Sequence, residues 1–287
     1  MRVETIDYGS QAPIDLSLVQ AHLAADTDGR IKAVLAVHVD TSTSVKNDIA
    51  GLRATMDKVG HPALLMADCI ASLGCDRFEM DAWGVDVMVS GCQKGLMTPA
   101  GVSFVWYNPK ADAARGDCVT SYWDWRPRTD PEIYFQYFDG TAPTHHLYGL
   151  RKALDIILDE GLEHVFARHE TLARAIWAAF DCWSTEGPMQ LNIADTACRS
   201  HAVTSVEIGS PSGDALRRWC EHQAGLTLGI GLGRDPADAF FRIGHMGHVN
   251  AHMIMGVIGT IDAGLKALDI PHGTGASEAA ARVIAAA

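Results

Sequence analysis

Two residues of the sequence, Asp68 and Lys94, have types and positions that could support chemistry. Asp68 ends the apolar run ALLMAD, where a carboxylate is costly unless it meets a cation or hydrogen-bond donors. Lys94 follows the next apolar run, GVDVMVS, within the segment SGCQKGLMTPAG. An amine held in a pocket can lose its charge by desolvation and then attack a carbonyl carbon. The two residues therefore suggest covalent chemistry on a carbonyl group, assisted by a nearby carboxylate.

Pyridoxal phosphate is a cofactor that needs both residue types. It takes a lysine for a Schiff base and a carboxylate that keeps its ring nitrogen protonated, so that the ring serves as an electron sink. Taken singly, an aspartate at a strand end is more often a cap or turn residue, and a lysine in a turn is more often solvated. Their joint occurrence favours the cofactor, because ligands of open α/β sheets bind beyond the carboxyl ends of the strands.

The first part of the chain alternates strand and helix patterns that would position these residues. Apolar runs predict four strands, at 32–38, 61–68, 84–90 and 101–108. Helical spacing predicts a helix over 47–60, with Asn47 as its cap and Gly60 as its end. Strands that are near-continuous apolar runs are typical of an α/β sheet covered on both faces.

The rest of the chain has a different order of predicted strands, loops and helices. Residues 118–144 are rich in aromatic residues, Pro and Asp, which predicts a long ordered loop, and 145–182 predict a long helical stretch broken near Gly161. A strand, a helix over 213–224, two strands and a helix over 248–268 then predict a small α+β unit.

We therefore expect four regions along the chain. These are an N-terminally incomplete cofactor-binding large domain over 1–145, a connecting long helix over 146–182, a small C-terminal domain over 183–270 and a tail over 271–287. The Gly/Ala-rich tail is expected to be a weak helix or a frayed end.

Composition narrows the class of protein. The chain has 287 residues, 48% of them apolar, with a formal net charge of −12, a balance that predicts a globular enzyme-sized protein and argues against nucleic acid as a partner. The sequence has neither an apolar run as long as a membrane span nor a signal-peptide pattern at its start. Seven cysteines without a CxxC pair predict free thiols in a reducing compartment, the cytoplasm.

Three segments carry a resemblance to a known family. HVDTSTSVKND, LLMADCIASLGCDRFEMDAWGVDVMVSGCQKGLMTPAG and FFRIGHMG resemble class V aminotransferases of pyridoxal-phosphate fold type I, in particular the serine–glyoxylate and alanine–glyoxylate subgroup. The resemblance runs from about residue 5 to residue 268. It implies an α/β fold: a partial large domain with a mixed, mostly parallel sheet and helices on both faces, then a smaller α+β C-terminal domain. It also implies transamination between a small amino acid, serine or alanine, and a 2-oxo acid such as glyoxylate.

The resemblance assigns cofactor roles to five residues of this sequence. Lys94 would form the Schiff base and move the substrate's α-proton, and Asp68 would pair with the ring nitrogen. Thr41 would place a hydroxyl near the ring's phenolic oxygen, Ile70 would pack on one ring face, and Gln93 would contact the phosphate region.

Two further roles concern the substrate and a second subunit. Arg242 would bind the substrate carboxylate, for which a guanidinium fork is well suited. Thr141 would reach the neighbour's cofactor in a homodimer. The sequence departs from the family at Ser44, where Gly is usual, and at Asp40, where Glu is usual, so the backbone near Thr41 is expected to differ.

The family's chains begin well upstream of this one. Their additional segment supplies a glycine-rich turn and a helix N-terminus for the phosphate, and no such turn precedes the first strand here. If the chain is complete as given, we expect the sheet to lack strands, to expose apolar surface or unpaired edges, and either to bind the cofactor weakly or not to fold alone. A second hypothesis follows, in which the chain is a non-catalytic fragment that acts through a binding partner.

Two other activities remain as alternatives. A metal-dependent enzyme could use His245, His248 and His252, which would share one face of a helix if the helix began early enough. A cysteine desulfurase-like enzyme could use Cys69 or Cys75, which flank the turn after Asp68.

Overall fold

The computed structural model describes residues 2–117 and 119–287, which leaves out Met1 and Cys118, one of the seven cysteines. Its first sheet has four strands in the order β1-β2-β3-β4. The strands are β1 Ala33–Val37, β2 Leu64–Asp68, β3 Val87–Gly91 and β4 Ser103–Tyr107. The first three are parallel and β4 is antiparallel to β3, so the predicted mixed, mostly parallel sheet is confirmed.

Helices α1 (Leu16–Ala25) and α2 (Ile49–Val59) cover one face of this sheet. The sequence predicted α2 with Asn47 as its cap, but Asp48 caps it by accepting the backbone N–H of Gly51. The Asn47 side chain instead links two backbone segments. It accepts the backbone N–H of Ile14 and donates to the Val37 carbonyl. Helix α1 was not predicted from the sequence.

The opposite face of the sheet carries Asp68 and exposed apolar side chains. Val37, Asp68, Val89 and Val105 are successive partners across the four strands, and directly paired residues point to the same face. Val37 and Val105 are each 40% exposed, and Leu35, two residues before Val37, is 76% exposed. The expected exposed apolar surface is therefore present beside Asp68.

The connection to the second half contains short helices and then two long ones. Their bounds are α3 Pro109–Ala113, α4 Arg126–Thr129, α5 Thr144–Glu160 and α6 Leu162–Trp183. The predicted break at Gly161 is confirmed, since this residue separates α5 from α6 with φ of 83°. The predicted loop over 118–144 holds α4 and a 3₁₀ turn at Tyr134–Tyr137.

The second sheet is antiparallel, in the order β5-β6-β8-β7. Its strands are β5 Gln190–Leu191, β6 Val203–Glu207, β7 Gly229–Ile230 and β8 Phe240–Gly244, and its helices are α7 Ser212–Ala224 and α8 Ala251–Ala267. Side chains of α6, α7, α8 and the sheet share one core around Phe180, Trp183 and Phe241. Strand β5 was not predicted, and β7 is shorter than its apolar run indicated.

The tail differs from the prediction of a weak or frayed end. It forms helix α9, Ala276–Ala285, and its Ala276 and Ala280 are buried in the same core as α6. Small side chains allow this close packing, which the Gly/Ala content of the segment does not reveal by itself.

Across the described residues, no helix is both long and apolar enough to cross a membrane.

Candidate active site

Asp68 stands at the carboxyl end of β2, the middle one of the three parallel strands. Its Oδ1 accepts the backbone N–H of Ile70 at 2.8 Å, and its carbonyl accepts the N–H of His38, at the end of β1, at 2.9 Å. Cys69 N–H donates to the Val89 carbonyl of β3 at 2.9 Å. These bonds fix the side chain at the point where three parallel strands end. Within the described residues, Asp68 Oδ2 has no hydrogen-bond partner.

Lys94 lies in a closed turn just after β3. Thr98 N–H donates to the Cys92 carbonyl at 3.0 Å and Met97 N–H to the Lys94 carbonyl at 2.9 Å. The half-buried Lys94 side chain makes no hydrogen bond or ion pair with any residue that the structure describes. The structure therefore places a lysine just beyond the end of β3, with an amine that no described residue binds.

The Lys94 turn touches the loop that follows Asp68. A Cβ on Gly95 would stand 2.1 Å from the Leu73 carbonyl oxygen and 3.0 Å from Cys75 Sγ, so only glycine permits this approach. The backbone segments carrying Asp68 and Lys94 are thus held against each other.

Thr41 begins the turn after β1, and this turn is bonded to the second sheet. The Thr41 carbonyl accepts a hydrogen bond from Arg242 Nη1 at 3.0 Å, and Arg242 Nε donates to the Ile230 carbonyl at 2.8 Å. Ser44 has φ of 64°, a left-handed conformation that glycine adopts more easily. Its Oγ donates to the Thr43 carbonyl and accepts the N–H of Ser205, bonds that a glycine could not make.

Arg242 is half-buried where this turn meets β8. Burial lowers the pKa of its guanidinium, while the Asp40 carboxylate acts in the opposite direction. Its Nη2 has no partner among the described residues, so it can still bind a carboxylate. The structure therefore brings Arg242 to Thr41.

The other predicted residues are Ile70, Gln93 and Thr141, which differ in burial and in their neighbours. Ile70 is half-buried, and its backbone N–H donates to Asp68 Oδ1. Gln93 is exposed, and its side chain lies against Gly91, since a Cβ on that glycine would stand 2.6 Å from Gln93 Oε1. Thr141 is exposed just ahead of α5, and no described contact joins it to Asp68 or Lys94.

A buried histidine, His38, follows β1 in the segment HVDTSTS. His38 is buried at the end of β1 against the rings of Phe78 and Trp83, and its Nδ1 has no partner in the described part of the chain. Burial lowers the pKa of His38 to about 4. Its position in HVDTSTS was a signal, but its neutral, ring-packed state depends on residues distant in sequence.

The comparison with known families decides the class of protein. Residues 1–235 match the model of the family described as aminotransferase class-V. The chain belongs to the class-V aminotransferase family.

Individual relatives of this aminotransferase agree. A serine–glyoxylate aminotransferase of Arabidopsis thaliana is 35% identical over 278 residues, covering 96% of this chain and 68% of the relative. An L-aspartate–glyoxylate aminotransferase of Paracoccus denitrificans is 35% identical over 285 residues, covering 98% of this chain and 69% of the relative.

Solved structures share the fold of this aminotransferase. The ureidoglycine-glyoxylate aminotransferase from Bacillus subtilis superposes with a TM-score of 0.82 at 27% identity, covering 96% of this chain and 70% of that one. The pyridoxamine-pyruvate aminotransferase from Mesorhizobium loti gives a TM-score of 0.84 at 26% identity, covering 96% of this chain and 69% of that one. The α/β assignment is therefore confirmed at the level of the fold.

Class-V aminotransferases depend on pyridoxal phosphate, and the residues of this chain fit that group. The cofactor needs an amine and a carboxylate with free bonding capacity, which Lys94 Nζ and Asp68 Oδ2 supply at neighbouring strand ends. The exposed apolar strip of sheet beside Asp68 suits an aromatic ring.

The aminotransferase does not have the predicted histidine site for a metal. Helix α8 begins only at Ala251, so His245 and His248 lie outside it. His245 is buried and bonded to Thr204 Oγ1 and the His201 carbonyl, both at 2.9 Å, whereas His248 is exposed. Among residues 2–117 and 119–287, no group of three metal-ligating side chains is assembled.

The desulfurase alternative is also not supported by the geometry. Cys69 and Cys75 are fully buried, and burial raises the pKa of each thiol to about 12. A thiol in that state is not an exposed thiolate nucleophile.

A separate cavity of about 560 Å³ lies between α6 and the segment 196–201. Lys46, Trp177, Arg199 and His201 line it, and none of the predicted site residues does. This cavity is therefore not the candidate active site.

Proposed function

We propose that this aminotransferase moves the amino group of a small amino acid to glyoxylate, using pyridoxal phosphate bound at Lys94. The observation that supports the proposal is that Lys94 and Asp68, each with a free bonding group, follow neighbouring strand ends, while Arg242 reaches the turn after β1 through the Thr41 carbonyl. Serine or alanine is the proposed donor, and the name of a relative with 35% identity, a serine–glyoxylate aminotransferase, supports serine.

The cofactor, when bound, supplies a carbonyl that accepts the amino group and a ring that withdraws electrons from the substrate. The reaction balances as an exchange, in which the donor becomes a 2-oxo acid and glyoxylate becomes glycine. No external oxidant or reductant is needed.

Lys94 has two tasks in this proposal. Its amine would hold the cofactor, and the same amine would take the proton from the donor's α-carbon and later deliver a proton to the α-carbon of the glycine formed from glyoxylate. A side chain without a competing ion pair is suited to both, because nothing has to be broken before it reacts.

Asp68 and Arg242 orient the reactants. Asp68 Oδ1 accepts the Ile70 N–H, which leaves Oδ2 free to bind the protonated ring nitrogen. Arg242 is tethered by two backbone carbonyls, at Thr41 and Ile230, so its remaining N–H groups are preorganised for the substrate carboxylate.

The remaining assignments complete the site. Thr41 would face the ring's phenolic oxygen, Ile70 would pack on the ring, and Gln93 would lie toward the phosphate. We also propose a homodimer in which Thr141 serves the neighbouring site, supported by the exposed aromatic side chains of Tyr134 and Phe135 close to it. The free thiols of the described cysteines support a cytoplasmic location.

Amino transfer can be tested directly. Serine, alanine or aspartate is mixed with glyoxylate, pyridoxal phosphate and the purified chain, and glycine is quantified. We expect glycine with the wild-type chain and none with Lys94→Arg, which keeps the positive charge but cannot form the covalent link. Equal glycine formation by both proteins, or none from a folded, cofactor-bound wild type, would refute the proposal.

A further inference from the structure

Asp76 is a buried carboxylate between the two sheets that the proposed reaction does not use. It is 1% exposed. Its Oδ2 accepts from Ser200 Oγ at 2.9 Å, and both of its oxygens stand 3.1 Å from the His201 N–H. Lys46 Nζ at 3.7 Å and His201 Nδ1 at 3.3 Å complete its surroundings. A buried charge is tolerated only when it is satisfied in this way, so these contacts constrain the backbone on both sides.

On one side, Asp76 is linked to Asp68 by a short hydrogen-bonded loop. Asp76 N–H donates to the Ser72 carbonyl at 2.9 Å, and Ser72 N–H donates to the Cys69 carbonyl at 3.2 Å. Ile70 N–H then donates to Asp68 Oδ1. The same loop touches the Lys94 turn where the Leu73 carbonyl meets Gly95.

On the other side, Asp76 is linked to Arg242 through strand pairing. Ser200 and His201 lead directly into β6, in which Ser205 pairs with Arg242 of β8. His245 N–H closes the near end of this pair by donating to the Ala202 carbonyl at 2.9 Å. Asp76 thus joins the loop that follows Asp68 to β6, the strand whose pairing with β8 sets the position of Arg242.

Apolar packing accompanies the polar link. Val39, Ala71 and Val203 form a small buried cluster, with Met246 packed against it. These residues come from the end of β1, the loop after Asp68, β6 and the end of β8, so the cluster bridges the same segments. Apolar contacts in this cluster hold the segments together but are not directional. The hydrogen bonds to Asp76 are directional, so they also fix how the segments are oriented.

We propose that Asp76 is a positioning residue that sets the distance from Arg242 to Asp68 and Lys94, and so fixes where the α-carbon of a substrate bound by its carboxylate lies relative to the Lys94 amine. This inference rests on the proposed function. Small displacements of a bound reactant have large effects on rate, so a residue that touches neither substrate nor cofactor can still matter.

The test compares Asp76→Asn with Asp86→Asn. Asp86 is a matched control, because it is also a buried carboxylate that accepts a backbone N–H, from Leu65 at 2.8 Å, and side-chain donors, Asn108 at 2.9 Å and Lys110 at 3.0 Å. These partners lie in or near the first sheet and do not reach β6 or β8.

Two readouts separate positioning from general destabilisation. In Asp76→Asn we expect kcat to fall about tenfold, because the substrate's α-carbon would no longer be held correctly at the Lys94 amine, with KM for the amino donor and for glyoxylate changed by less than about threefold. Without cofactor, amide hydrogen exchange of peptides covering 200–207 and 240–247 should become faster. Asp86→Asn should change neither, and cofactor absorbance should be the same in both.

Each outcome decides the inference. Equal losses of kcat in the two variants, or unchanged exchange over 240–247 in Asp76→Asn, would overturn it. If Asp76→Asn does not fold, Ser200→Ala removes one donor without removing charge and should speed exchange in the same peptides; unchanged exchange in this variant would overturn the inference as well. A wild type that transfers no amino group refutes the proposed function, and the exchange measurement then decides the role of Asp76 by itself.

Discussion

At the scale of single residues, the proposed chemistry depends on how Asp68, Lys94 and Arg242 are held. Asp68 uses one oxygen for its own loop and Arg242 uses two of its nitrogens for backbone carbonyls, so each is fixed while keeping free bonding groups. Preorganised catalysis requires side chains that are held in place and still have hydrogen-bonding atoms free for the reactants.

Substituting Asp68 by Asn tests the ring-nitrogen role. Asn keeps an acceptor for Ile70 N–H but removes the negative charge, so we expect the rate of amino transfer to fall by about 10²–10³ while the chain still folds. Steady-state glycine formation measures this. Asp48→Asn is the control, since Asn caps a helix as well as Asp does and should leave the rate unchanged. A full-rate Asp68→Asn enzyme would contradict the role.

Substituting Arg242 by Lys tests the carboxylate-binding role. Lys keeps the charge but loses the fork and the two tethers, so KM for glyoxylate should rise about 10- to 100-fold. Arg218→Lys, on the exposed side of α7 beside Asp214, should leave KM unchanged. Similar KM values for the two variants would show that Arg242 does not bind the substrate.

Sequence reasoning could find Lys94 and Asp68, because a polar residue at the end of an apolar run stands out locally. It could not find Asp76, whose partner Ser200 is 124 residues away and has no distinctive neighbours in the sequence. Residues that act through long-range hydrogen bonds need the fold before they can be recognised.

At the scale of elements, periodicity and glycine predicted most of the architecture. The four strands of the first sheet and the break at Gly161 were found because apolar runs and a single Gly are strong local signals. Strand β5 has only two residues, and the burial of α9 depends on its packing against α6, so neither had a local signal.

The break between α5 and α6 gives a stability prediction. Gly161 has φ of 83° and ψ of 134°, and a Cβ there would meet only His164 Nδ1 at 3.7 Å, so the cost of Gly161→Ala comes from backbone conformation alone. We expect a loss of about 1–2 kcal/mol in the free energy of unfolding. Urea titration measures it.

Gly259 provides the matched comparison. It lies inside α8, and a Cβ there meets nothing within 4 Å, so Gly259→Ala should raise stability by up to about 1 kcal/mol. Opposite signs for the two Gly→Ala changes are expected. A neutral Gly161→Ala would mean that the junction is not held in this conformation.

At the scale of the whole molecule, two sheets are joined by the turn at 41–46, by Asp76 and by the long helix α6. The division into domains at 145, 182 and 270 stays a prediction, as does the dimer. The alternation of sequence patterns indicated two kinds of unit, but it could not show the bonds between them, because those join residues far apart in the chain.

Buried histidines make the stability of the whole fold depend on pH. Burial lowers the pKa of His38 and of His245 to about 4, below the ordinary value of 6.5. Between these values the unfolded chain binds more protons than the folded one, so stability increases with pH. The stabilisation is full above about pH 6.5 and is lost as pH falls toward 4, by roughly 3 kcal/mol for each histidine.

Unfolding free energies measured from pH 4 to pH 7 test this dependence. His245→Gln cannot titrate in that range and should show a flatter slope, although it loses the bond to the His201 carbonyl and some stability at pH 7. An unchanged slope in this variant would show that His245 already carries a proton in the fold.

The most direct test of the central claim is to identify the residue that carries the cofactor. Pyridoxal phosphate is added to the folded chain, the adduct is fixed with borohydride, and the labelled peptide is sequenced by mass spectrometry. We predict one label, on Lys94, in the peptide that contains SGCQKGLMTPAG. A label on Lys46 or Lys110 instead, or no label on a folded chain, would contradict the claim.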